Sequence, residues 1–228
     1  MNAATAGFRG QAASERPSRT SIEQFLLGCG ILSSALYVAM NAIVTLQFPG
    51  YNICSQTVSE LSAIGAPTRQ LWVALAMVYS VLLMAFGYGV WIASRDNRLL
   101  RFVGALVILH ATIGLFWPPM HQRGAPFTKT DALHIAFAAV TLVFFIAEIV
   151  IGAQALGRTF RVYSAATLAV FLVFGVLTGI DGPKIAQNLP TPWIGVWERI
   201  NIGAFMLWIA TLAVVLLRRP DMERKEIR

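Results

Sequence analysis

Residues 118–134 read PPMHQRGAPFTKTDALH and gather two histidines, an aspartate, an arginine and a lysine in a chain that is 57% hydrophobic. Asp131 and His134 stand in the order Asp-x-x-His. At i, i+3 on a helix they share one face, close enough to share a ligand or a proton. His121 lies on a loop that could fold back toward Asp131, and His110 approaches from the preceding apolar run. Three histidines and an aspartate match zinc in number and type. His121, Asp131 and His134 are therefore the candidate metal ligands, and a divalent metal is the candidate cofactor. The spacing carries no His-Glu-x-x-His or Cys-x-x-Cys signature. Two metal-free readings compete: a polar site for a headgroup, sugar or ion, and a plain helix cap made by Thr130 or Asp131.

Two further polar stretches could complete such a site. YNICSQTVSELSAIGAPTR, residues 51–69, offers Ser55, Ser59, Glu60, Ser62 and Arg69. In a metal hydrolase Glu60 would act as general base on a metal-bound water. Residues 181–199 add Asp181, Lys184 and the neighbours Glu198 and Arg199. Adjacent residues point apart on a helix, so each should pair elsewhere, Arg199 for instance with Glu60. The candidate catalytic residues are Glu60, His134 and Asp131. The candidate binding residues are Ser59, Arg69, Glu198, Arg199, His110 and Glu148.

The elements that must position these residues are set by hydropathy. Mean hydropathy is +0.65 and only 13% of residues are charged, against about 25% in soluble domains. The chain should be an all-α integral membrane bundle. Apolar run length predicts six transmembrane helices, at about 22–47, 71–93, 99–117, 132–156, 162–180 and 200–217. No segment alternates as a membrane β-strand would. The first apolar run follows a polar segment and is too long for a cleavable signal, so it is expected to stay as a span. Cys29 and Cys54 are poorly placed to form a disulfide.

The net charge of +7 is a topology signal rather than a nucleic-acid surface. Thirteen of the eighteen Lys and Arg residues fall in the two tails and in the second-to-third and fourth-to-fifth connections. The positive-inside rule then makes both termini cytoplasmic in a plasma (inner) membrane. The expected organisation is a disordered cytoplasmic tail over 1–21, a six-helix domain over 22–217 and a basic cytoplasmic tail over 218–228. The three stretches holding the candidate residues all become outer connections, at about 48–70, 118–131 and 181–199.

Some polar groups lie inside the apolar runs. Ser34, Tyr37, Asn41 and Thr45 share one face of the first helix, and Ser164, Thr167, Thr178 and Asp181 one face of the fifth. Small hydroxyl residues commonly join helices by close packing. Glu148 is costlier: a carboxyl at that depth must be protonated, paired or wet. It shares a helix face with His134 and Thr141, which would be the polar route of a proton-coupled carrier.

SQTVSELSAIGAPTRQLW resembles the signature of the domain of unknown function 998 family. The likeness continues through LFWPPMHQRG, TDALHIAFAA, VYS and GVWERINIGAFMLW, in the family's order. The resemblance implies a polytopic membrane protein of bacteria or archaea. It carries over to Ser59, Glu60, Pro67, Arg69, Pro119, His134, Ser164, Glu198 and Arg199. Met120–His121 stands where many relatives place an acidic residue, so no role carries over to His121. The family implies no reaction.

The function expected is a multi-pass membrane protein with an outward-facing polar site that binds or acts on a lipid or lipid-linked substrate. A small-solute or proton-coupled carrier and a non-catalytic sensor or assembly subunit are the alternatives. The lipid bilayer is the expected partner, with a lipid or small-molecule ligand and no nucleic acid.

Overall fold

The computed structural model describes the backbone of residues 19–226 and the side chains of residues 19–218. Six α-helices account for most of it: α1 (Ser21–Leu46), α2 (Arg69–Ala93), α3 (Arg98–Gly114), α4 (Lys129–Ala155), α5 (Arg158–Ala186) and α6 (Ile194–Glu226). A single 3-10 turn at Val58–Ser62 interrupts the connection between α1 and α2. No strand occurs among the described residues beyond one isolated parallel bridge between Ile64 and His121. Most of the tail expected over 1–21 lies outside the described residues, while α6 continues as helix to Glu226, within the segment expected to be the C-terminal tail, whose last two residues also lie outside them.

Each helix packs on the next in sequence, and α6 returns to α1, so the bundle closes into a ring. Five helices are long and apolar enough to cross a membrane: α1, α2, α4, α5 and α6 as far as Arg218. Of the six spans expected, α3 is the short one. Its 17 residues fall below the roughly 20 that a crossing usually takes. Val38, Met77, Val143, Val173 and Leu207 point outward and are exposed, as lipid-facing side chains must be in a bundle that turns its polar groups inward.

The interior is held by small residues against large ones. Gly87 of α2 meets Gly104 of α3 so closely that a Cβ at Gly104 would lie 2.7 Å from the Gly87 carbonyl oxygen and 2.7 Å from the Trp91 nitrogen. Gly152 of α4 gives the same clearance to Trp208 of α6, whose ring would sit 2.6 Å from an added Cβ. Trp208 is fully buried and its indole N–H donates to Ser164 Oγ at 2.9 Å. Ser34 donates to the carbonyl of Met206 at 2.9 Å, pinning α1 to α6. Lipid tails are as apolar as leucine, so close packing and such hydrogen bonds must hold the helices together.

The helix ends depart from the sequence reading in one instructive place. The third outer connection was expected over 181–199, but α5 runs on to Ala186 and α6 begins at Ile194. Asp181 and Lys184 form an i, i+3 ion pair of 2.6 Å on the last turns of α5, and Pro183 sits within the helix. A polar, proline-containing stretch thus remains helical, and Glu198 and Arg199 stand on the first turns of α6 instead of in a loop.

Gly104→Val should force α2 from α3 and lower stability by about 1–3 kcal/mol, the usual cost of overpacking. Gly179→Ala, where a Cβ meets nothing within 4 Å, should be neutral. Thermal unfolding of the two purified variants in detergent tests the contrast.

Candidate functional site

The connection after α1 does not arch away from the bundle; it folds into its mouth. Non-helical backbone at that depth needs partners for its carbonyls, and four side chains supply them. Tyr51 Oη donates to the carbonyls of Gln56 (3.1 Å) and Thr57 (2.7 Å). Thr191 donates to Ser55 O at 2.9 Å. Arg199 Nη1 donates to the carbonyls of Ile53 (3.0 Å), Gln56 (3.2 Å) and Gly195 (2.9 Å), while its Nη2 donates to Tyr51 Oη at 2.7 Å. Arg123 Nη2 donates to Ser55 O at 3.1 Å. A glycine is required at 195, because a Cβ there would lie 2.2 Å from the Gln56 oxygen and 2.3 Å from that of Ile53.

Glu60 lies at the centre of this cap, 3% exposed. Its carboxylate is the N3 member of a capping box with Thr57, accepting from the Thr57 backbone N–H (2.7 Å) and hydroxyl (3.1 Å). Gln56 Nε2 donates to it at 3.3 Å, and Arg123 donates through Nε and Nη2, each at 3.3 Å. Arg123 Nη1 also reaches Leu189 O at 3.1 Å. The pairing expected between Arg199 and Glu60 is therefore not made. Arg123 takes the carboxylate, and Arg199 is held by carbonyls. Glu198 accepts a short hydrogen bond from the Val58 N–H, and Arg69 Nη1 donates to Ser62 O at 2.7 Å. Burial pushes the Tyr51 phenol up to about 12, with the Arg199 hydrogen bond opposing that rise.

Asp131 and His121 meet. His121 Nδ1 lies 2.9 Å from Asp131 Oδ2, and the His121 backbone N–H donates to Oδ1 at 2.7 Å. The same carboxylate closes a capping box with Thr128, accepting from its backbone N–H (2.9 Å) and hydroxyl (2.8 Å). The N-cap is thus Thr128, with Asp131 at N3, where sequence alone pointed to Thr130 or Asp131 as the cap. His134, one turn along α4, faces elsewhere. Its Nδ1 lies 2.8 Å from Pro118 O and its Nε2 3.1 Å from Ser59 Oγ. Trp117 stands edge-on to its ring, with the indole N–H 3.2 Å from Nδ1. His121, Asp131 and His134 do not converge as a trio. Among the described residues no group of three or more His, Cys, Asp or Glu gathers as metal ligands.

His134 Nδ1 faces both an acceptor, the Pro118 carbonyl (2.8 Å), and a donor, the Trp117 indole N–H (3.2 Å); a proton on Nδ1 satisfies the shorter contact and gives up the Trp117 hydrogen bond. Nε2 then carries the lone pair and accepts from the Ser59 hydroxyl. A hydroxyl hydrogen-bonded to a histidine whose other nitrogen is fixed by an acceptor is the arrangement of an activated nucleophile and its base. Ser59 is half-buried, His134 is 7% exposed, and nearby Glu60 is fully used in structural bonds. A cavity of about 460 Å³ opens over Arg123, Ser55 and Thr191 but does not reach Ser59.

His110 and Glu148 form a separate pair in the interior, Nδ1 to Oε1 3.0 Å, with Glu148 wholly buried. Phe145 lies one turn above Glu148, stacked on Phe205 with ring centroids 3.5 Å apart. Both phenylalanines also contact the His110 ring. On the face of α4 that carries His134, Thr141 and Glu148, packed aromatics thus stand between Thr141 and Glu148.

Sequence reasoning noticed Arg123 but gave it no role, and it gave none to Tyr51, Trp117 or Thr191. The signal for Arg123 was a lone arginine in one of the three polar connections between helices. Its partners are 63–68 residues away in the chain, which periodicity cannot reach.

Arg123→Ala should destabilise the protein far more than Ser55→Ala, because it strands Glu60 without its cation. In a double-mutant cycle with Glu60→Gln the two should couple by about 1–3 kcal/mol. Thermal denaturation of the four proteins in detergent measures it.

No match is found among curated proteins or among solved structures. The family model described as "Protein of unknown function (DUF998)" matches residues 31–215, and the chain belongs to that family.

Proposed function

We propose that this is a six-span membrane protein with both termini in the cytoplasm, and that its outer face presents Ser59 and His134 to a lipid or lipid-linked substrate. The observation that carries the chemical half is the Ser59–His134–Pro118 arrangement. The other polar groups of the cap bond chiefly to the fold itself, whereas this hydroxyl and imidazole form a nucleophile–base pair at 3.1 Å. The matching reaction class is acyl transfer or ester hydrolysis. His134 Nε2 takes the Ser59 proton as Oγ adds to the carbonyl carbon. The same proton goes to the leaving alcohol, and water or a second alcohol then releases the acyl group from Ser59. No metal is required for those steps, and Asp131 supports them only by fixing the start of α4.

The sixth span rests on the register of α3 against α4. Asn97, the N-cap of α3, donates to Ala155 O at the end of α4, 2.8 Å away. Trp117, just beyond the other end of α3, packs on His134 near the start of α4. The segment from Asn97 to Trp117 therefore extends alongside nearly all of α4. With six crossings, the Lys and Arg asymmetry favours a cytoplasmic location for both termini.

Incubation of the purified protein with a fluorophosphonate should label Ser59, as read by peptide mass spectrometry. Ser59→Ala should abolish the label and His134→Gln reduce it by about 10²-fold or more, the range for loss of a general base. An unlabelled Ser59 in folded protein removes the enzyme reading. Reporter fusions at residue 1 and residue 228 should both report the cytoplasm, and an external report from either one breaks the topology.

A further inference from the structure

His134 Nδ1 is contested by two consecutive residues. The Pro118 carbonyl oxygen lies 2.8 Å from it and the Trp117 indole nitrogen 3.2 Å. The first is an acceptor and needs a proton on Nδ1. The second is a donor and needs a lone pair there. A neutral imidazole carries one N–H and one lone pair, on opposite nitrogens, so Nδ1 cannot serve both.

The choice decides what faces Ser59, because Nε2 takes the opposite state. With Nδ1 protonated, Nε2 is bare and accepts from the Ser59 hydroxyl, 3.1 Å away. With Nδ1 bare, Trp117 donates to it and Nε2–H points at Ser59 Oγ as a donor. In that form the imidazole has no lone pair to receive the Ser59 proton.

The backbone keeps this contest in place. Residues 117–119 read Trp-Pro-Pro. Each proline fixes its own φ and keeps the residue before it out of the helical region. The Trp117 side chain and the Pro118 carbonyl are therefore carried on one stiff arm. The arm is tied just beyond its end, where Met120 O accepts from the Ile64 N–H at 2.8 Å and the His121 N–H donates to Asp131 at 2.7 Å. The indole is wedged as well, edge-on to His134 with ring centroids 5.4 Å apart and to Phe137 at 6.2 Å. Among the described residues its N–H donates to no other group. A proton on Nδ1 thus costs Trp117 its hydrogen bond to the protein.

We propose that Trp117 is a positioning residue that restrains His134 as a base, drawing part of the population into the Nε2–H tautomer against the pull of the Pro118 carbonyl. Its bearing on catalysis rests on the reading of Ser59 and His134 as nucleophile and base; the tautomer balance itself does not.

Solid-state nitrogen NMR of the full chain, isotope-labelled at histidine and held in lipid bilayers, separates protonated from bare ring nitrogens. His134→Gln identifies the His134 signals. Trp117→Phe keeps an aromatic ring beside His134 and Phe137 and removes the donor. Trp117→benzothienylalanine keeps the two-ring shape with sulfur in place of the N–H, which guards against a packing defect. In both variants the ratio of the Nδ1–H to the Nε2–H tautomer should rise about 2–10-fold, the worth of one ordinary hydrogen bond. Fluorophosphonate labelling of Ser59 should quicken in proportion to the Nδ1–H fraction. An unchanged ratio in the two variants overturns the assignment, and so does slower labelling in both while that ratio rises. A raised ratio with Ser59 unlabelled in every protein upholds the control of the tautomer by Trp117 and removes the nucleophile reading instead.

Discussion

Irregular backbone at the mouth of a membrane bundle must find its hydrogen bonds within the protein. The connection between α1 and α2 satisfies this with donors borrowed from the α3–α4 and α5–α6 connections. Arg123 is the central donor. Its guanidinium joins Glu60 and Ser55 O of the first connection to Leu189 O of the third, from a position on the second. Five N–H groups in a rigid fork suit arginine to that junction, where lysine, a flexible point charge, would not serve. Arg199 performs a parallel task from α6, and Tyr51 and Thr191 complete it.

Much of the polar chemistry at this mouth of the bundle is therefore structural. Glu60 and Asp131 are both N3 residues of capping boxes before they are anything else, and their carboxylates are saturated by donors. A carboxylate with four or five donors is poorly suited to act as a general base, because abstracting a proton requires a free lone pair. The Ser59–His134 pair differs, because there the hydroxyl meets an imidazole nitrogen and not the backbone or a capped carboxylate.

The six helices were legible because apolar run length and Lys/Arg spacing are local properties. Their ends were less so. Asp181, Lys184 and Pro183 look like a loop in isolation, yet an i, i+3 ion pair and helix packing carry α5 through them. Pro118 carried no sequence signal for the tautomer of His134, since a ring nitrogen is fixed by whatever partner the fold delivers to it. Asp-x-x-His correctly placed Asp131 and His134 one turn apart. It did not disclose that one would face His121 and the other Ser59.

The sequence by itself determined a helical membrane chain with its polar residues concentrated in three of the connections between helices, because hydropathy and charge act over a few residues at a time. Only the tertiary structure decided which of those residues would be used up in holding the connections together. Arg123 and Glu60 are 63 residues apart, and Ser59 and His134 are 75. Contacts at that separation come from closure of the helix ring, in which α6 returns to α1 and brings three distant connections over one mouth.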